Sequence, residues 1–376
     1  MSKLNKYYLQ FKNPALSTPK FRSLSILGFA VAIIGFFFIF SFYDEYFRAN
    51  VIVPATGEAR IYIRTEYTTK QAYQAIAESG FIRSPRSLKK AMETMDFKKV
   101  HPGSYVLKEG MNNKQIVRML AAGLQTVIPL RFESLRTKEN LAAKLANQVE
   151  PDSFSLIHFF NDAEALKPFG LTPENVMTVF IPNTYLVYWA TSPEKLLERM
   201  IRENKRFLNE ERKSAAAKIK LSPREVYILA SIINEESYRV DELPRIAGVY
   251  LNRLKRGIQL QADPTVKFAT GNFKLKRILF SHTRLNHPYN TYIHKGLPPG
   301  PICIPTQAAL EAALHPQIHN YMYFCAKPEL DGYHNFSVTH AQHARFAAAY
   351  REMMDKMKNK EIQDSVSLLE SVKKTV

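Results

Sequence analysis

Two adjacent glutamates at the end of a predicted helix are the residues of this sequence best placed for acid chemistry. Ser222, Pro223 and Glu225 have the pattern of an N-cap, a first-turn proline and the acid of a capping box, so we expect a helix to begin there. The apolar residues that follow recur at helical spacing, and the next position of this stripe is Glu236. A carboxyl group at a core position near a helix C-terminus loses solvation and meets the unfavourable end of the helix dipole, and both effects raise its pKa. The pattern therefore makes Glu236 a candidate general acid.

Other interpretations of this acidic stretch stay open from the residues alone. Glu235 and Glu236 can simply end a surface helix, because glutamate is seldom fully buried. An error of one residue in the helix phase would exchange the two. Glu242 follows six residues after Glu236, where it can hydrogen-bond the first acid or face water.

Six sequence blocks follow in order from this helix. They are ASIINEES (230–237), GVYLNRL (248–254), LQADPTVKF (260–268), YNTYIHKGLPPGPICIPT (289–306), YMYFCA (321–326) and GYHNFSVTHAQH (332–343). Together they resemble the endolytic murein transglycosylase family, MltG or YceG-like. The resemblance implies a lyase that cuts inside peptidoglycan strands with one carboxylic acid and leaves 1,6-anhydro ends, with no metal and no cofactor.

The resemblance also implies roles for individual residues. It places the catalytic glutamate at Glu236, although Asn234 stands where many relatives carry an acid. It favours a groove-side position for Asn183, Thr184 and Tyr185. Substrate-binding or supporting roles are expected for seven further residues: Glu242, Asn252, Gln261, Asp263, Thr265, Asn290 and Tyr292.

Two local patterns are expected to shape the site. The pair Asp263-Pro264 predicts a turn whose carboxylate orients backbone. The Gly- and Pro-rich run at 296–305 predicts a stiff loop that walls the substrate cleft.

The charge balance limits the possible partners. The chain has 376 residues, a formal net charge of +18 and 46% hydrophobic residues, which is ordinary for a protein that buries a core. A basic surface suits nucleic acid, an anionic membrane or an acidic polymer such as cell wall. The apolar run at 24–43 carries no charge and is long enough to cross a bilayer. Five basic residues precede it and acids follow, so the positive-inside rule keeps the N-terminus in the cytoplasm and exports the rest.

A cleaved signal peptide is the alternative to this anchor. The run is longer than a signal-peptide core, and bulky charged residues follow it instead of a small-residue cleavage site, so we favour an uncleaved helix. Export makes nucleic acid an improbable partner, leaving peptidoglycan, the cytoplasmic (inner) membrane and peptidoglycan synthases. Cys303 and Cys325 are too few to hold such a fold together and are expected to stay unpaired.

We therefore predict an α+β fold with a single transmembrane helix, a small LysM-like β-α-α-β module that binds glycan or acts as a spacer, and a larger mixed α+β catalytic domain. A single helical stretch is expected at 193–217. The predicted segments are a cytoplasmic tail (1–22), the transmembrane helix (23–43), a linker (44–58), the LysM-like domain (59–124), the catalytic domain (125–350) and a helical tail (351–376).

Two other classes of function remain at this stage. One is a non-catalytic wall-binding or septal scaffold protein. The other is an exported metal-dependent hydrolase built on C-terminal histidines such as His340 and His343, for which no matched third ligand is evident.

Overall fold

The computed structural model describes residues 19–375 except residues 56 and 276, and the side chains of residues 23–359. The chain divides into two compact units. The first runs to residue 128 and includes 188–190, and the second comprises 129–187 and the chain from 191 on. Residues 1–18, and with them most of the predicted cytoplasmic tail, lie outside the described residues.

The N-terminal helix α1 (Pro19–Tyr46) is long and apolar. Its segment Ser23–Tyr46 has 24 residues and a mean hydropathy of 2.5, and the most apolar stretch of this segment is not buried against the rest of the protein. A helix of this length and composition is able to cross a bilayer. The predicted span at 23–43 falls inside it.

The rest of the first unit has the predicted β-α-α-β order, followed by one more helix. Strands β1 and β2 pair antiparallel, with Ala59 opposite Leu107 and Ile63 opposite Gly103. The order is confirmed, whereas its identification as a LysM-like module stays a prediction. The elements are β1 (Ala59–Ile63), α2 (Thr69–Ala77), α3 (Pro85–Thr94), β2 (Gly103–Leu107) and α4 (Asn113–Ala121).

The end of α1 is tied to this unit by buried polar contacts. Glu45 is 6% exposed, and Nζ of Lys90 lies 2.6 Å from its carboxylate. The amide of Asn113 donates to the main-chain oxygen of Glu45 at 2.7 Å. The ion pair and the hydrogen bond to the carbonyl offset the desolvation cost of burying these polar groups at the C-terminal end of α1.

The second unit is a mixed α+β arrangement rich in helices. Its strands form two two-stranded sheets, β3 with β4 and β5 with β6. Its elements are β3 (Ile128–Phe132), α5 (Lys138–Ala146), α6 (Ser153–Asn161), α7 (Ala163–Leu166), β4 (Asn183–Val187), α8 (Pro193–Phe207), α9 (Glu210–Lys218), α10 (Pro223–Glu236), α11 (Leu243–Lys255), α12 (Asp263–Thr270), α13 (Phe280–Thr283), α14 (Gln307–Leu314), β5 (Tyr323–Ala326), β6 (His334–Ser337) and α15 (His340–Thr375).

Two predictions about the local structure between residues 183 and 217 are wrong. The stretch at 193–217 forms two helices, because Asn209 begins α9 by accepting a hydrogen bond from the Arg212 amide at 2.9 Å. Tyr185 does not face a groove. It is 7% exposed and stacks on Phe132, and its hydroxyl donates to the main-chain oxygen of Ile181. Burial of the ring and satisfaction of its hydroxyl make it a core residue.

Helix α10 lies at the centre of the second unit, packed against α11 and α14. The loop at 296–305 packs on it rather than lining the cleft described below, so that expectation is wrong. The Ile302 amide donates to Oγ of Ser231 at 3.1 Å, and the Cys303 thiol donates to the Ser231 carbonyl. A side chain at Gly300 would overlap the carbonyl oxygen of Glu174, so the loop approaches that backbone without one. Cys303 and Cys325 are both free, as predicted.

The segment at 317–321 docks along α11 through polar contacts. The Gln317 amide donates to the Pro244 carbonyl at 2.9 Å, and the Asn252 side chain donates to the carbonyls of His319 and Tyr321. This docking uses the bare backbone of Gly248, where a Cβ would overlap the carbonyl oxygen of Gln317 and lie 2.6 Å from Nε2 of His319. The glycine in the middle of α11 is therefore a packing requirement.

We expect Gly248→Ala to destabilise the protein although it sits inside a helix. Helix propensity alone predicts that the change stabilises by about 1 kcal/mol. Overpacking against His319 and Gln317 costs about 1–3 kcal/mol and reverses that sign. Thermal unfolding of the variant and of the unaltered chain measures the difference. A higher unfolding temperature for the variant would show that the segment is not docked as described.

Candidate active site

The start of α10 is fixed by the predicted capping box, which is confirmed. Oγ of Ser222 accepts from the Glu225 amide, and the Glu225 carboxylate accepts from the Ser222 amide at 2.7 Å. Residues 226–233 of the helix are all buried. The helix thus has one register, and its last two residues are Glu235 and Glu236.

Glu236 is half-buried and opens on a cleft of about 380 Å³. The cleft is formed by the end of α10, one face of α11, the segment leading into α12, strands β5 and β6, and the first part of α15. Aromatic and polar side chains line it. They include Tyr250, Arg253, Gln261, Asp263, Tyr292, Tyr323, Phe324, His334, His343 and Tyr350. Clefts with this mixture of rings and hydrogen-bonding groups are typical of ligand sites.

The carboxyl group of Glu236 has one strong contact, with the hydroxyl of Tyr250, which donates to Oε1. Desolvation raises the pKa of Glu236 to about 8; the Tyr250 hydrogen bond opposes that shift and the negative charge of Asp263 adds to it. Burial also raises the pKa of Tyr250, so its hydroxyl remains a donor. At neutral pH the site therefore holds a protonated carboxyl group that is available to a ligand.

Glu235 has a different environment. Its carboxylate lies 2.8 Å from the guanidinium of Arg136, which donates to Oε2 through two nitrogens. This contact engages the Glu235 carboxylate with a neighbouring cation. The geometry therefore distinguishes the two adjacent acids: the second one faces the cleft as a neutral acid, as the apolar stripe predicts.

Three of the expected supporting residues line the same cleft as Glu236. The hydroxyl of Tyr292 donates to Oδ1 of Asp263 at 2.6 Å. Asp263 does not sit in a turn, because it is the first residue of α12 and Pro264 fits the first turn of that helix. Gln261 has a φ of 51° and accepts a hydrogen bond from Arg253, which is 5% exposed. The cleft thus brings the side chains of two acids, Glu236 and Asp263, to one site.

Three other expected residues lie in the supporting framework. Asn252 binds the docked segment described above. Thr265 is fully buried, and its hydroxyl lies 2.9 Å from that of Thr291. Asn290 is fully buried and donates to the carbonyls of Thr283 and Leu285. These contacts hold the chain segments that carry Gln261 and Tyr292.

Glu242 neither contacts Glu236 nor faces water. It is 3% exposed, and its two oxygens accept from the amide of His334 and pair with Nδ1 of the same ring at 2.8 Å. This pair ties β6 to the turn before α11. Its ring partner, His334, lines the cleft, so Glu242 holds one of the side chains of the cleft.

Tyr250, Arg253 and His334 were missed as individual site residues by the sequence analysis. Tyr250 occupies the apolar face of α11, where an aromatic ring is expected to be core. The signal that could have revealed Tyr250 is its hydroxyl, because a tyrosine on a buried helix face needs a hydrogen-bond partner and Glu236 is a candidate acceptor. Among the described residues no group of three His, Cys, Asp or Glu side chains is arranged to hold a metal ion.

Comparisons with known proteins relate this chain to one family. The model of the YceG-like family matches residues 61–349. An endolytic murein transglycosylase of Bacillus subtilis is 28% identical over 300 residues, which cover 74% of this chain and 82% of that protein. One from Streptococcus pneumoniae is 30% identical over 149 residues, or 39% of this chain and 27% of that protein. A crystal structure of a yceG-like protein from Listeria monocytogenes, 24% identical, covers 76% of this chain and 97% of its own with a TM-score of 0.50, which supports the fold. Because the family model spans most of the chain, including the whole cleft except Tyr350, the protein belongs to the YceG-like family.

Proposed function

We propose that this protein is an endolytic peptidoglycan lytic transglycosylase. It cleaves the bond between N-acetylmuramic acid and N-acetylglucosamine within glycan strands and leaves 1,6-anhydromuramoyl ends. The observation that carries the proposal is the protonated carboxyl of Glu236, with its pKa raised to about 8, in an aromatic-lined cleft. The names of the relatives from Bacillus and Streptococcus support the same reaction.

The first step is general acid catalysis by Glu236. At neutral pH its carboxyl group carries the proton that the bridging glycosidic oxygen needs. Transfer of that proton lets the bond between C1 of the muramic acid and the bridging oxygen break. The leaving strand departs as an alcohol, and positive charge develops at C1.

The second step uses the same group as a base. The Glu236 carboxylate takes the proton of the C6 hydroxyl of the muramic acid, and that oxygen bonds to C1 and closes the anhydro ring. The nucleophile belongs to the substrate and reacts at high effective concentration, so no water is consumed. The proton returned to Glu236 restores the starting state.

Tyr250 positions the acid for both steps. Its hydroxyl occupies Oε1 of Glu236, which leaves Oε2 to carry the transferable proton. The same hydrogen bond stabilises the carboxylate formed by the first transfer, since a donor favours the charged form. One residue can therefore act as acid and then as base in a desolvated site.

Asp263 is the residue that would favour ordinary hydrolysis. It lines the same cleft, and a second carboxylate able to activate water defines an inverting glycosidase. Its carboxylate is engaged by the hydroxyl of Tyr292 at 2.6 Å. We assign it to holding Tyr292 and the start of α12 rather than to water activation.

The location follows from α1 and the charge pattern around it. We propose a single-pass protein of the cytoplasmic membrane, with the N-terminus in the cytoplasm and the catalytic unit outside. Five basic residues precede the apolar segment, which favours this orientation. At the outer face it would meet newly made strands, terminate or trim them, and work beside peptidoglycan synthases.

We expect a reporter fused after Val376 to lie outside the cytoplasm. A reporter that is active only after export should therefore be active, and one that is active only in the cytoplasm should be inactive. Paired fusions to an exported phosphatase and to a cytoplasmic fluorescent protein measure this. Cytoplasmic activity of the fusion would contradict both the orientation and access to the wall.

We expect Glu236→Gln to reduce strand cleavage by at least about 10²-fold, because the amide keeps the shape of the acid but has no proton to transfer. Glu235→Gln is the matched control, since it changes the neighbouring acid of the same helix, and it should retain most activity. Mass analysis of digests made in ¹⁸O-labelled water measures the product. The ends should be 1,6-anhydromuramoyl and unlabelled.

Other outcomes of that experiment would be equally informative. Labelled reducing ends would mean that Asp263 activates water and that the enzyme is a hydrolase. Loss of activity in Glu235→Gln alone would reverse the roles of the two acids. Binding of peptidoglycan without any cleavage would favour the scaffold alternative.

We expect Tyr250→Phe to shift the alkaline limb of the pH profile of kcat/KM upward. In the unaltered chain activity falls as the pH rises through about 8, where Glu236 loses its proton. Removing a hydrogen bond that lowers the pKa of Glu236 moves this limb to higher pH, and kcat should fall because the carboxylate is less stabilised. Tyr227→Phe is the control: its hydroxyl, on the same helix as Glu236, donates to the Phe180 carbonyl. A shift in the control, or a downward shift for Tyr250→Phe, would contradict the assignment.

A further inference from the structure

A second cavity, of about 720 Å³, also opens on Glu236. It shares Glu236, Asp263 and Tyr350 with the cleft described above. Its other lining residues are Glu235 of α10 and residues from α12, from the segment before α13 and from α15. A ligand bound at the acid can therefore extend in two directions.

The α15 side of this cavity lies outside the family match, which ends at residue 349. Four residues of the helix line the cavity at positions 350, 351, 354 and 355, a spacing that places them on one face. The continuation of α15 thus adds to the active site a surface that the family model does not cover.

Three basic side chains that have no ion-pair partner in the described part of the chain line this cavity. Lys267, Arg277 and Arg351 line it, and among the described side chains none of the three has a carboxylate within 4.0 Å. Lys267 is close enough to Glu236 to lower the pKa of that group. Unpaired cations grouped around a cavity are a site for carboxylates.

The acids of the same cavity offset only part of this charge. Glu235 is neutralised by Arg136 and Glu236 is protonated at neutral pH. Asp263 and Asp355 are the other two acids, and Asp355 has no cationic partner within ion-pair distance in the described part of the chain. Three basic and two further acidic side chains therefore line the cavity, which suits a ligand that carries carboxylates together with an amine.

The substrate of the proposed function supplies such a ligand next to Glu236. The muramic acid that loses the bridging oxygen from C1 bears a stem peptide on the lactyl group at C3 of the same ring. That peptide must leave the ring close to the catalytic acid. It has free carboxylates, and an uncross-linked stem adds a free amine on its third residue.

We propose that this second cavity binds the uncross-linked stem peptide, with Arg351 as a carboxylate-binding residue supplied by the continuation of α15. This inference rests on the proposed function and specifies its substrate: strands that still carry peptides, as newly made ones do. The glycan occupies the cleft with the aromatic rings, and the peptide occupies the cavity with the cations.

The test compares two substrates cleaved by the full-length protein in detergent. One is a preparation of uncross-linked glycan strands with their peptides, and the other is the same preparation after an amidase has removed them. We expect the unaltered chain to have a kcat/KM on the order of tenfold higher for the peptide-bearing strands. Arg351→Gln should lower that value by about threefold to fivefold, mainly through KM, as expected for one exposed charge contact.

Activity of Arg351→Gln on the peptide-free strands should be unchanged. Arg351→Lys should retain part of the preference, and Lys358→Gln, an exposed change on the same helix that does not line the cavity, should retain all of it. Equal loss on both substrates, or no preference in the unaltered chain, would overturn the inference. Failure of the unaltered chain to cleave either substrate would instead overturn the proposed function.

Discussion

The hydrogen bond between Tyr250 and Glu236 joins the two central helices of the second unit at the point where the site requires them to meet. α10 supplies an acid at its C-terminus, and α11 supplies the donor that holds it. Desolvation and the helix dipole both disfavour a charge at Glu236, whereas the tyrosine favours it. The balance leaves a group that is protonated at neutral pH and can still ionise during a reaction.

Much of the surrounding structure supports the two helices that carry Tyr250 and Glu236. The loop at 296–305 closes on Ser231 of α10, and the segment at 317–321 docks on α11 across Gly248. Arg253 links that framework to the cleft, because it donates to the carbonyls of Gln259 and Met322 while binding Gln261. A pattern of satisfied polar groups on buried helices restricts rotation of either helix. Small displacements there would separate Tyr250 from Glu236.

The parts of the fold that depend on local sequence could be predicted. The capping box at Ser222 gave the start of α10, and the apolar stripe then placed Glu236 on the inner face.

The parts of the fold that depend on distant contacts could not be predicted. The local sequence of the loop at 296–305 does not tell whether the loop packs on a helix or forms the wall of a cleft. Its burial depends on Ser231 and Glu174, which are distant in the sequence. Tyr185 was misplaced by the resemblance to the family, because the burial of its ring depends on Phe132, a residue distant in the sequence. The break at Asn209 carries neither glycine nor proline, so it gave no strong stop signal.

The capping box has a consequence for how this protein can vary. The capping box fixes the first residue of α10, and Glu236 is the last residue of the same helix. The 14 residues of α10 therefore set both the position and the direction of the Glu236 side chain. Each residue turns a helix by about 100°. An insertion or deletion inside α10 would therefore rotate the terminal acid out of the cleft even if the helix and its core survived. Substitutions along α10 are constrained by packing, whereas its length is constrained by geometry. We therefore expect changes of length to be tolerated more readily in the loops at either end of α10 than within the helix.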